Sequence, residues 1–302
     1  MDRFHLKPVM DNPYSDRVRR IADLSRSKTR KKTGRFLVEG PQAVREAVHF
    51  ASDFVTDLYY DAAAGEDPVL GEIIAEAQEK TPYCHPCSSQ VMEAISKDCQ
   101  GIGVLVRTEA VTGGLAPGAS SFAALASLAD SVKSLGPAET TGHPARPLFL
   151  ACWQLRDPGN AGTIIRVADA AGCPALILVD DCVDVTNPKV VRSTAGSLFH
   201  LPIVTLSTDD FFAEAAQLGL PVCAADAYGT DQVEAIPLPD LMDSLKSSSQ
   251  PLCILFGNEA RGLDDSLINR CQSAVRIPLY GKAESLNVAM SASIIAYSLA
   301  MS

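Results

Sequence analysis

The feature that most constrains the fold of this 302-residue chain is a C-terminal stretch in which apolar runs alternate with glycine-broken loops. The continuous apolar run Leu252–Phe256 has the length and composition of a strand covered on both faces. It ends in the polar loop 257–262, and a second apolar run, 274–277, is followed by the loop 278–285. Because open α/β sheets bind ligands in the loops that follow their parallel strands, both loops are predicted to border one functional site.

The segment after the second loop is predicted to be a helix that begins at Leu286 and is apolar nearly all round. A helix with this pattern is expected to be buried. It has more apolar faces than one monomer core readily covers, so the sequence also predicts a homodimer.

Four segments of the C-terminal half resemble, in order, the motifs of the SpoU (TrmH-like) family of RNA ribose methyltransferases, a branch of the knotted SPOUT methyltransferases. The four segments are residues 155–172, 187–196, 255–263 and 276–300. The resemblance implies an α/β catalytic domain with a parallel sheet and a deep trefoil knot, in which the last helix passes through a loop. Knots are otherwise disfavoured in chain topology, so the sequence pattern by itself does not predict one.

The resemblance also implies an activity, the transfer of a methyl group from S-adenosylmethionine to a ribose 2′-hydroxyl of RNA. Ribosomal RNA is the expected substrate, because a separate N-terminal binding domain suggests a structured target. A tRNA 2′-O-methyltransferase is an alternative. A catalytically silent RNA-binding relative is another, but its expected mark is the loss of Arg166 or Asn160, and both residues are present.

Cofactor binding is implied for backbone groups and apolar side chains of the two loops. The implied cofactor-binding residues are Gly257, Ile277 and Leu286, with Leu255, Pro278 and Leu279 as walls for adenine. A competing hypothesis is a dinucleotide-dependent enzyme that uses residues 159–162 as a phosphate loop. That loop lacks the G-x-G-x-x-G spacing, which argues against the dinucleotide hypothesis.

Arg166 is the predicted centre of the catalytic set. Since a guanidinium group does not lose its proton in ordinary protein settings, we expect Arg166 to hold the substrate phosphate and to stabilise negative charge on oxygen. Asn160 would orient Arg166 or the ribose. The remaining catalytic candidates, which would fix these side chains and the loop ends, are Glu259, Ser285 and Asn287. Ser285 and Asn287 are also suited to capping the following helix.

Charge is distributed unevenly along the chain, whose net charge is −10. Residues 1–35 contain eleven Lys and Arg against four Asp, so the rest of the chain holds 15 basic and 32 acidic residues. This asymmetry is typical of a basic segment that meets phosphates on an otherwise acidic protein. The residues predicted to contact RNA are Arg30, Lys31, Lys32, Arg35 and Arg192.

Three regions are predicted along the chain. Residues 1–108 form an alternating α/β unit that contains a basic loop at 27–34, and parts of it resemble the small ribosomal-protein-like substrate-binding domain found in many family members. Residues 109–147 are rich in Ala, Gly, Ser, Thr and Pro, which is typical of a linker. Residues 148–302 alternate strands and helices and form the predicted catalytic domain.

The nine cysteines are odd in number and mostly lie in apolar runs, which predicts reduced thiols. Cys84 and Cys87 have the spacing of a redox or zinc motif, but no second Cys/His pair with metal spacing follows, so no metal is predicted. The N-terminus lacks an apolar signal region, and no run approaches the roughly 18 apolar residues of a membrane helix. The protein is therefore expected to be cytoplasmic, with no membrane partner.

Overall fold

The computed structural model describes residues 8–63, 67–81, 83–112, 146–246 and 248–302. Most of the predicted linker 109–147 lies outside these residues. The described chain divides into two compact units, each with its own sheet. The first unit contains residues 8–112 together with Asp184–His200, and the second contains residues 146–183 and Leu201–Ser302. The segment Asp184–His200, which the sequence assigned to the region 148–302, thus packs with the first unit.

The N-terminal part of the first unit is the α/β arrangement expected from the sequence. Its strands are β1 (Arg35–Glu39), β2 (Val55–Asp61), β3 (Cys84–Cys87) and β4 (Ile102–Arg107). Its helices are α1 (Asp16–Ala22), α2 (Ser27–Thr33), α3 (Pro41–Phe50), α4 (Pro68–Lys80) and α5 (Ser89–Ile95). The strand order is β1-β4-β2-β3; β4 is antiparallel to both neighbours, while β2 and β3 are parallel.

The C-terminal half follows the same numbering in chain order. Its strands are β5 (Leu148–Trp153), β6 (Leu176–Val179), β7 (Ile203–Leu206), β8 (Val222–Ala225), β9 (Ala235–Pro237), β10 (Leu252–Phe256) and β11 (Ser273–Arg276). Its helices are α6 (Pro158–Ala170), α7 (Pro188–Ser193), α8 (Thr208–Leu218), α9 (Leu238–Leu245), α10 (Asp265–Ile268) and α11 (Val288–Ala300). Helix α7 lies in Asp184–His200 and therefore belongs to the first unit.

The sheet of the second unit confirms the predicted parallel architecture. Its order in the described chain is β7-β6-β5-β10-β8-β11-β9, and every neighbouring pair is parallel. Strands β5, β6 and β10 are buried along their whole length, as expected for strands covered on both faces. The loops that follow the carboxyl ends of these strands consequently all lie at the same end of the sheet. The trefoil knot stays a prediction of the resemblance.

Helix α11 differs from its prediction in two ways. It begins at Val288, with Asn287 as its N-cap, so Leu286 lies outside it. It is also only half buried. One side, which includes Ile295 and Leu299, is in the core, whereas an opposite stripe is exposed. The exposed stripe consists of Met290, Ile294, Tyr297 and Met301. None of the helices in the described part of the chain has both the length and the apolar character needed to span a bilayer.

The segment predicted as a basic loop is helical. Residues Ser27–Thr33 form α2, which ends at Gly34 in the left-handed conformation (φ 62°) that glycine adopts without strain. The prediction of a loop was therefore wrong, and the side chain of Arg30 folds inward. Its Nη1 donates to the carbonyl oxygens of Leu24 and Ser25, both at 2.9 Å, and these bonds tie α2 to the preceding turn.

Arg30 is buried, with 2% of its surface exposed, and binds the segment Asp184–His200. Its Nη2 lies 2.6 Å from Oδ2 of Asp184, and its Nε donates to Oγ1 of Thr186 at 3.0 Å. Burial tends to raise the pKa of Asp184, but hydrogen bonds from Thr186 and Arg30 and the charge of Arg30 together lower it. Arg30 is therefore buried and ion-paired within the first unit, where RNA cannot reach it. This contradicts its predicted RNA contact.

The Cys84–Cys87 segment is strand β3, and because side chains alternate along a strand, Cys84 and Cys87 lie on opposite faces of the sheet. His85 and Cys87 are buried, and Nε2 of His85 lies 2.9 Å from Oδ1 of Asp57. Burial raises the pKa of the Cys87 thiol to about 11, which is opposite to the lowered pKa of a redox-active cysteine. Within the described ranges, no group of three or more His, Cys, Asp and Glu side chains could hold a metal ion.

We expect Arg30→Ala to lower the free energy of unfolding by about 3 kcal/mol, because it leaves the carboxylate of Asp184 without its charged partner. Chemical denaturation monitored by circular dichroism measures this loss. The matched control is Lys31→Ala, which removes a neighbouring exposed cation and should change stability by less than about 0.5 kcal/mol. Equal stability of the two variants would contradict the structural role of Arg30.

Candidate functional site

The loop after β10 is a closed turn that only glycine permits at its first position. Asn258 and Gly262 exchange backbone hydrogen bonds of 3.1 and 2.9 Å, which bring the two ends of the loop together. A Cβ on Gly257 would lie 2.3 Å from the carbonyl carbon of Gly262 and 2.6 Å from its oxygen. Because these are backbone atoms, a side chain at Gly257 would open the turn.

Asn258 fastens this turn to the end of β5. Its Nδ2 donates to the carbonyl oxygen of Gln154 at 2.8 Å, and its Oδ1 accepts from the backbone N–H of Ala260 and Arg261. Gln154 has a left-handed backbone (φ 49°), and its Oε1 accepts from Nη2 of Arg261 at 2.5 Å. The ends of the adjacent strands β5 and β10 are thereby joined through side chains.

Glu259 binds the start of helix α6. Its carboxylate accepts from the backbone N–H of Asp157 at 2.9 Å and of Arg156 at 3.2 Å, and from Nδ2 of Asn160 at 3.3 Å. Burial tends to raise the pKa of Glu259, but these bonds, led by the backbone N–H groups, lower it overall. Glu259 is therefore an ionised acceptor at neutral pH, placed at the positive N-terminal end of α6.

Asn160 and Asn287 connect the first motif with the last. Nδ2 of Asn287 donates to Oδ1 of Asn160 at 3.0 Å, while Oδ1 of Asn287 caps α11 by accepting from the N–H of Ala289 at 2.8 Å. Asn160 in turn donates to Glu259, so the three side chains form one hydrogen-bonded line. We call Glu259, Asn160 and Asn287 the polar line. It brings together three of the five predicted catalytic residues.

A cavity of about 580 Å³ lies beside these loops. Its volume falls in the range of small-molecule sites, about 300–1,000 Å³. Four of the residues predicted to bind a cofactor line it, namely Gly257, Ile277, Leu279 and Leu286. Glu259 and Ser285 of the predicted catalytic set line it as well.

Two residues predicted as adenine walls do not line this cavity. Leu255 belongs to the hydrophobic core and is not part of the lining, whereas its neighbour Phe256, on the opposite face of β10, is one of the lining residues. Pro278 lies between the lining residues Ile277 and Leu279 but is not itself part of the lining. The wall assignment of Leu255 is therefore corrected.

The loop after β8 also lines the cavity, and sequence reasoning missed it. Asp226 accepts from the backbone N–H of Tyr228 at 2.9 Å and of Gly229 at 2.8 Å, which folds the loop into a turn. Tyr228 is 84% exposed and is one of the lining residues. A signal was available, because Val222–Ala225 is a short apolar run typical of a buried strand, and ligand sites follow the carboxyl ends of parallel strands.

Arg166 lies on α6 and is exposed. In the part of the chain that the structure describes, it makes no hydrogen bond or ion pair, and Asn160 bonds to Glu259 and Asn287 instead. The prediction that Asn160 orients Arg166 is thus not what the structure shows. An exposed cation without an internal partner remains available to an anionic ligand.

The residues predicted to contact RNA differ in their surroundings. Lys31, Lys32 and Arg35 are exposed, as that role requires. Arg192 instead pairs with two carboxylates of the first unit, those of Glu39 and Asp98, and its Nη1 lies 3.1 Å from Oδ2 of Asp98. These carboxylates balance its charge, which makes Arg192 a weaker phosphate ligand than the sequence predicted.

Comparison with known proteins relates both halves of the chain to RNA-modifying enzymes. Residues 147–297 match the SpoU rRNA Methylase family, and residues 15–105 match the MRM3-like substrate binding domain. The chain is 39% identical over 145 residues to the 23S rRNA (guanosine(2553)-2′-O)-methyltransferase RlmP of Bacillus subtilis, covering 48% of this chain and 54% of that protein. It is 38% identical over 144 residues to the 23S rRNA (uridine(2479)-2′-O)-methyltransferase of Streptomyces viridochromogenes, covering 46% of this chain and 47% of that protein. Each match thus spans about half the length of the relative.

The whole chain is similar to a solved structure, the AdoMet-bound rRNA methyltransferase from Sinorhizobium meliloti. The two share 25% identity with a TM-score of 0.71, and the match covers 97% of each chain. The similarity extends over both units, so it is not confined to the half that carries the motifs.

We predict that Glu259→Gln destabilises the protein in a pH-dependent way. A native pKa below the unfolded value of about 4.3 stabilises the native state at pH above that value, and the stabilisation is lost as the pH falls through the native pKa. The difference in free energy of unfolding between wild type and variant should therefore be full at pH 7 and shrink below about pH 4.3.

Urea denaturation between pH 3 and pH 8 measures this difference. Glu284→Gln is the matched control, because Glu284 is an exposed acid beside the same cavity that makes no hydrogen bond within the described chain. A difference for Glu259→Gln that does not vary with pH would argue against its role as an ionised acceptor.

Proposed function

This chain belongs to the SpoU rRNA methylase family, and from that starting point we propose that it transfers a methyl group from S-adenosylmethionine to a ribose 2′-oxygen of ribosomal RNA. The observation that carries the proposal is the polar line. Glu259, Asn160 and Asn287 hold the N-terminal ends of α6 and α11 together beside a cavity of about 580 Å³.

The residues of the cavity fit the proposed cofactor. Ile277, Leu279 and Leu286 offer apolar contacts to an adenine ring, while the turn at Gly257 brings backbone groups to the lining. S-adenosylmethionine, when bound, supplies a methyl group on a positively charged sulfur. The AdoMet-bound neighbour supports this choice of cofactor. The chain's own contribution is to hold the cofactor in a shaped, partly apolar site.

Arg166 is the residue that we propose for the catalytic step. Guanidinium groups in proteins carry a permanent positive charge, so Arg166 binds a substrate phosphate and stabilises negative charge that develops on the attacking oxygen. A phosphate oxygen or a water molecule then takes the proton of the 2′-hydroxyl. Asn160 and Glu259 hold α6, the helix of Arg166, in place, and such positioning can supply on the order of 7–11 kcal/mol in favourable cases.

Ribosomal RNA is the proposed substrate, for two reasons. Both relatives described above are named as 23S rRNA 2′-O-methyltransferases, and residues 15–105 match a substrate-binding domain. A tRNA substrate is the alternative. A silent RNA-binding relative is disfavoured, because Asn160 stands in the polar line and Arg166 is exposed.

The test of the activity is the position of the methyl group. A methylated 2′-oxygen can no longer attack the adjoining phosphodiester, so the label stays in alkali-resistant dinucleotides when RNA labelled with radioactive methyl is hydrolysed in alkali. Unmodified ribosomal RNA from a strain that lacks the gene, incubated with the purified protein, provides the substrate, and tRNA from the same strain is the comparison. Label in mononucleotides would mean base methylation. Label in tRNA alone would identify tRNA, and not ribosomal RNA, as the substrate.

We expect Arg166→Ala to reduce methyl transfer by about 100-fold or more, while the affinity for S-adenosylmethionine stays within a few-fold. The reason is that Arg166 is not among the residues that line the cavity. Single-turnover kinetics measures the transfer and calorimetry measures the affinity. Arg270→Ala, which removes another exposed arginine of the second unit, is the control and should leave both unchanged. A parallel loss of cofactor affinity would assign Arg166 to cofactor binding.

We also propose a homodimer formed through α11. Its exposed stripe of Met290, Ile294, Tyr297 and Met301 presents a continuous apolar surface of the kind that interfaces bury. Analytical ultracentrifugation should therefore give about twice the chain mass of 32.0 kDa at micromolar concentration. Ile294→Glu should shift the protein towards the monomer, whereas Val69→Glu, at another exposed apolar position, should not. A wild-type monomer would contradict the proposal.

The nine cysteines are all free, and most are buried. Burial raises the pKa of Cys152 and Cys253 well above the ordinary value of a thiol, so these side chains remain protonated and unreactive. This pattern supports a reducing compartment, and we propose that the protein acts in the cytoplasm.

A further inference from the structure

The first unit contains a basic cleft, of whose cationic residues the sequence predicted only Arg35 to contact RNA. Two adjoining cavities of about 610 and 620 Å³ share Arg17, Arg35 and Asp57 among their lining residues. The cationic lining residues are Arg17, Arg20, Arg35, Lys80 and Arg107, and the anionic ones are Asp53 and Asp57. We call this surface the basic cleft. A local excess of positive charge on a chain of net charge −10 indicates an anionic partner.

Two arginines of the cleft lie directly opposite each other. Arg35 on β1 and Arg107 on β4 are register partners at the end of the antiparallel ladder, and both are exposed. Like charges in this position destabilise a sheet. Neither arginine has an ion pair in the described part of the chain; Arg107 donates to the carbonyl oxygen of Asp53 at 2.8 Å and lies over the ring of Phe54. A bound phosphate would relieve this repulsion.

Buried groups fix the position of the Arg17 side chain by hydrogen bonds. Its Nε donates to the hydroxyl of Tyr59 at 3.1 Å, and its Nη2 lies 3.2 Å from Oδ1 of Asp57. Asp57 also binds His85, and Tyr59, Asp57 and His85 are all buried. Nη1 of Arg17 makes no bond within the described residues, and 48% of its side chain is exposed. An arginine fixed in this way loses little conformational freedom when it binds a phosphate.

An exposed aromatic ring stands at the same cleft. Tyr83 is 56% exposed, lines the cavity that contains Arg35 and Arg107, and stacks on His85 with an angle of 9° between the rings. His85 stacks in turn on the buried ring of Tyr59. Successive rings therefore support Tyr83 from inside the unit. Aromatic side chains beside cationic grooves are how proteins bind unpaired RNA bases, whereas the bases of a duplex are stacked on one another and not accessible.

We propose that the basic cleft binds an unpaired nucleotide of the RNA substrate, with the flanking phosphates at Arg17, Arg35 and Arg107 and the base stacked on Tyr83. The inference rests on the proposed function in that the substrate is RNA. It adds where on the first unit the RNA binds and that the bound segment is single-stranded. It also replaces Arg30, which is buried, and Arg192, which pairs with two carboxylates, as the main RNA contacts.

The proposal is tested by fluorescence anisotropy on the full-length protein. The probes are a labelled single-stranded RNA of twelve nucleotides and the same strand annealed to its complement. Tyr83→Ala should weaken binding to the single strand roughly five-fold or more, while the dependence on salt stays the same. Tyr83→Phe keeps the ring and should restore most of the affinity that Tyr83→Ala loses. Tyr14→Ala, at a tyrosine of the first unit that is 75% exposed and outside the cleft, is the control.

The phosphate contacts are tested by the salt dependence of binding. A plot of log affinity against log salt has a negative slope. The double variant Arg35→Ala/Arg107→Ala should make this slope shallower by about 1.4, which corresponds to the loss of two phosphate contacts to a single strand. The double variant Arg45→Ala/Lys97→Ala removes the same charge from exposed positions outside the cleft and should leave the slope near that of wild type. Thermal melting by circular dichroism checks that every variant is folded.

Equal effects of the cleft variants and their controls would overturn the proposal, as would equally tight binding of the single strand and the duplex. Calorimetric titration with S-adenosylmethionine separates this proposal from the proposed activity. Cleft variants that lose RNA binding in a protein that does not bind S-adenosylmethionine would support the cleft and contradict the methyltransferase. Normal cofactor binding, together with an RNA affinity that the cleft variants do not change, would contradict the proposed cleft and support the proposed methyltransferase activity.

Discussion

The carboxylate of Glu259 is the interaction on which the arrangement of the site depends. It follows β10 and accepts N–H groups from Arg156 and Asp157, which follow β5. These two strands are neighbours in the sheet, so one charged acceptor joins their ends and fixes where α6 begins. Asn160 passes this constraint to Asn287 and therefore to α11. Without Glu259, the backbone N–H groups at the start of α6 would lose their acceptor.

The apolar sheet makes this polar arrangement possible. Strands β5 and β10 are buried along their length, so their register is fixed by packing and their carboxyl ends are held at constant separation. Short polar side chains can then meet across the gap with little cost in conformational freedom. The loops gain their precision from the rigid strands that carry them, and the absence of a side chain at Gly257 lets the turn after β10 close against Gly262.

The first unit uses its charges in two different ways. Arg30 is buried against Asp184 and serves the fold, whereas Arg35 and Arg107 are exposed and lie side by side without ion pairs in the described chain. Arg30 and Arg35 lie in the basic N-terminal segment, and Arg107 lies on β4, the strand that pairs with β1. What separates them is accessibility, because Arg30 is 2% exposed and out of reach of a phosphate, whereas Arg35 and Arg107 are exposed.

The sequence by itself determined the class of fold and the family, because apolar runs, caps and motif residues are local properties. The run Leu252–Phe256 is β10 as predicted, and Asn287 caps the last helix as its type suggests. Only the tertiary structure decided which polar side chains meet. Glu259 and Asn160 are 99 positions apart, and Arg30 and Asp184 are 154 apart, so neither pair leaves a local signal. Burial is decided in the same way, because whether a basic or apolar side chain is covered depends on the elements packed against it, which the local pattern does not specify.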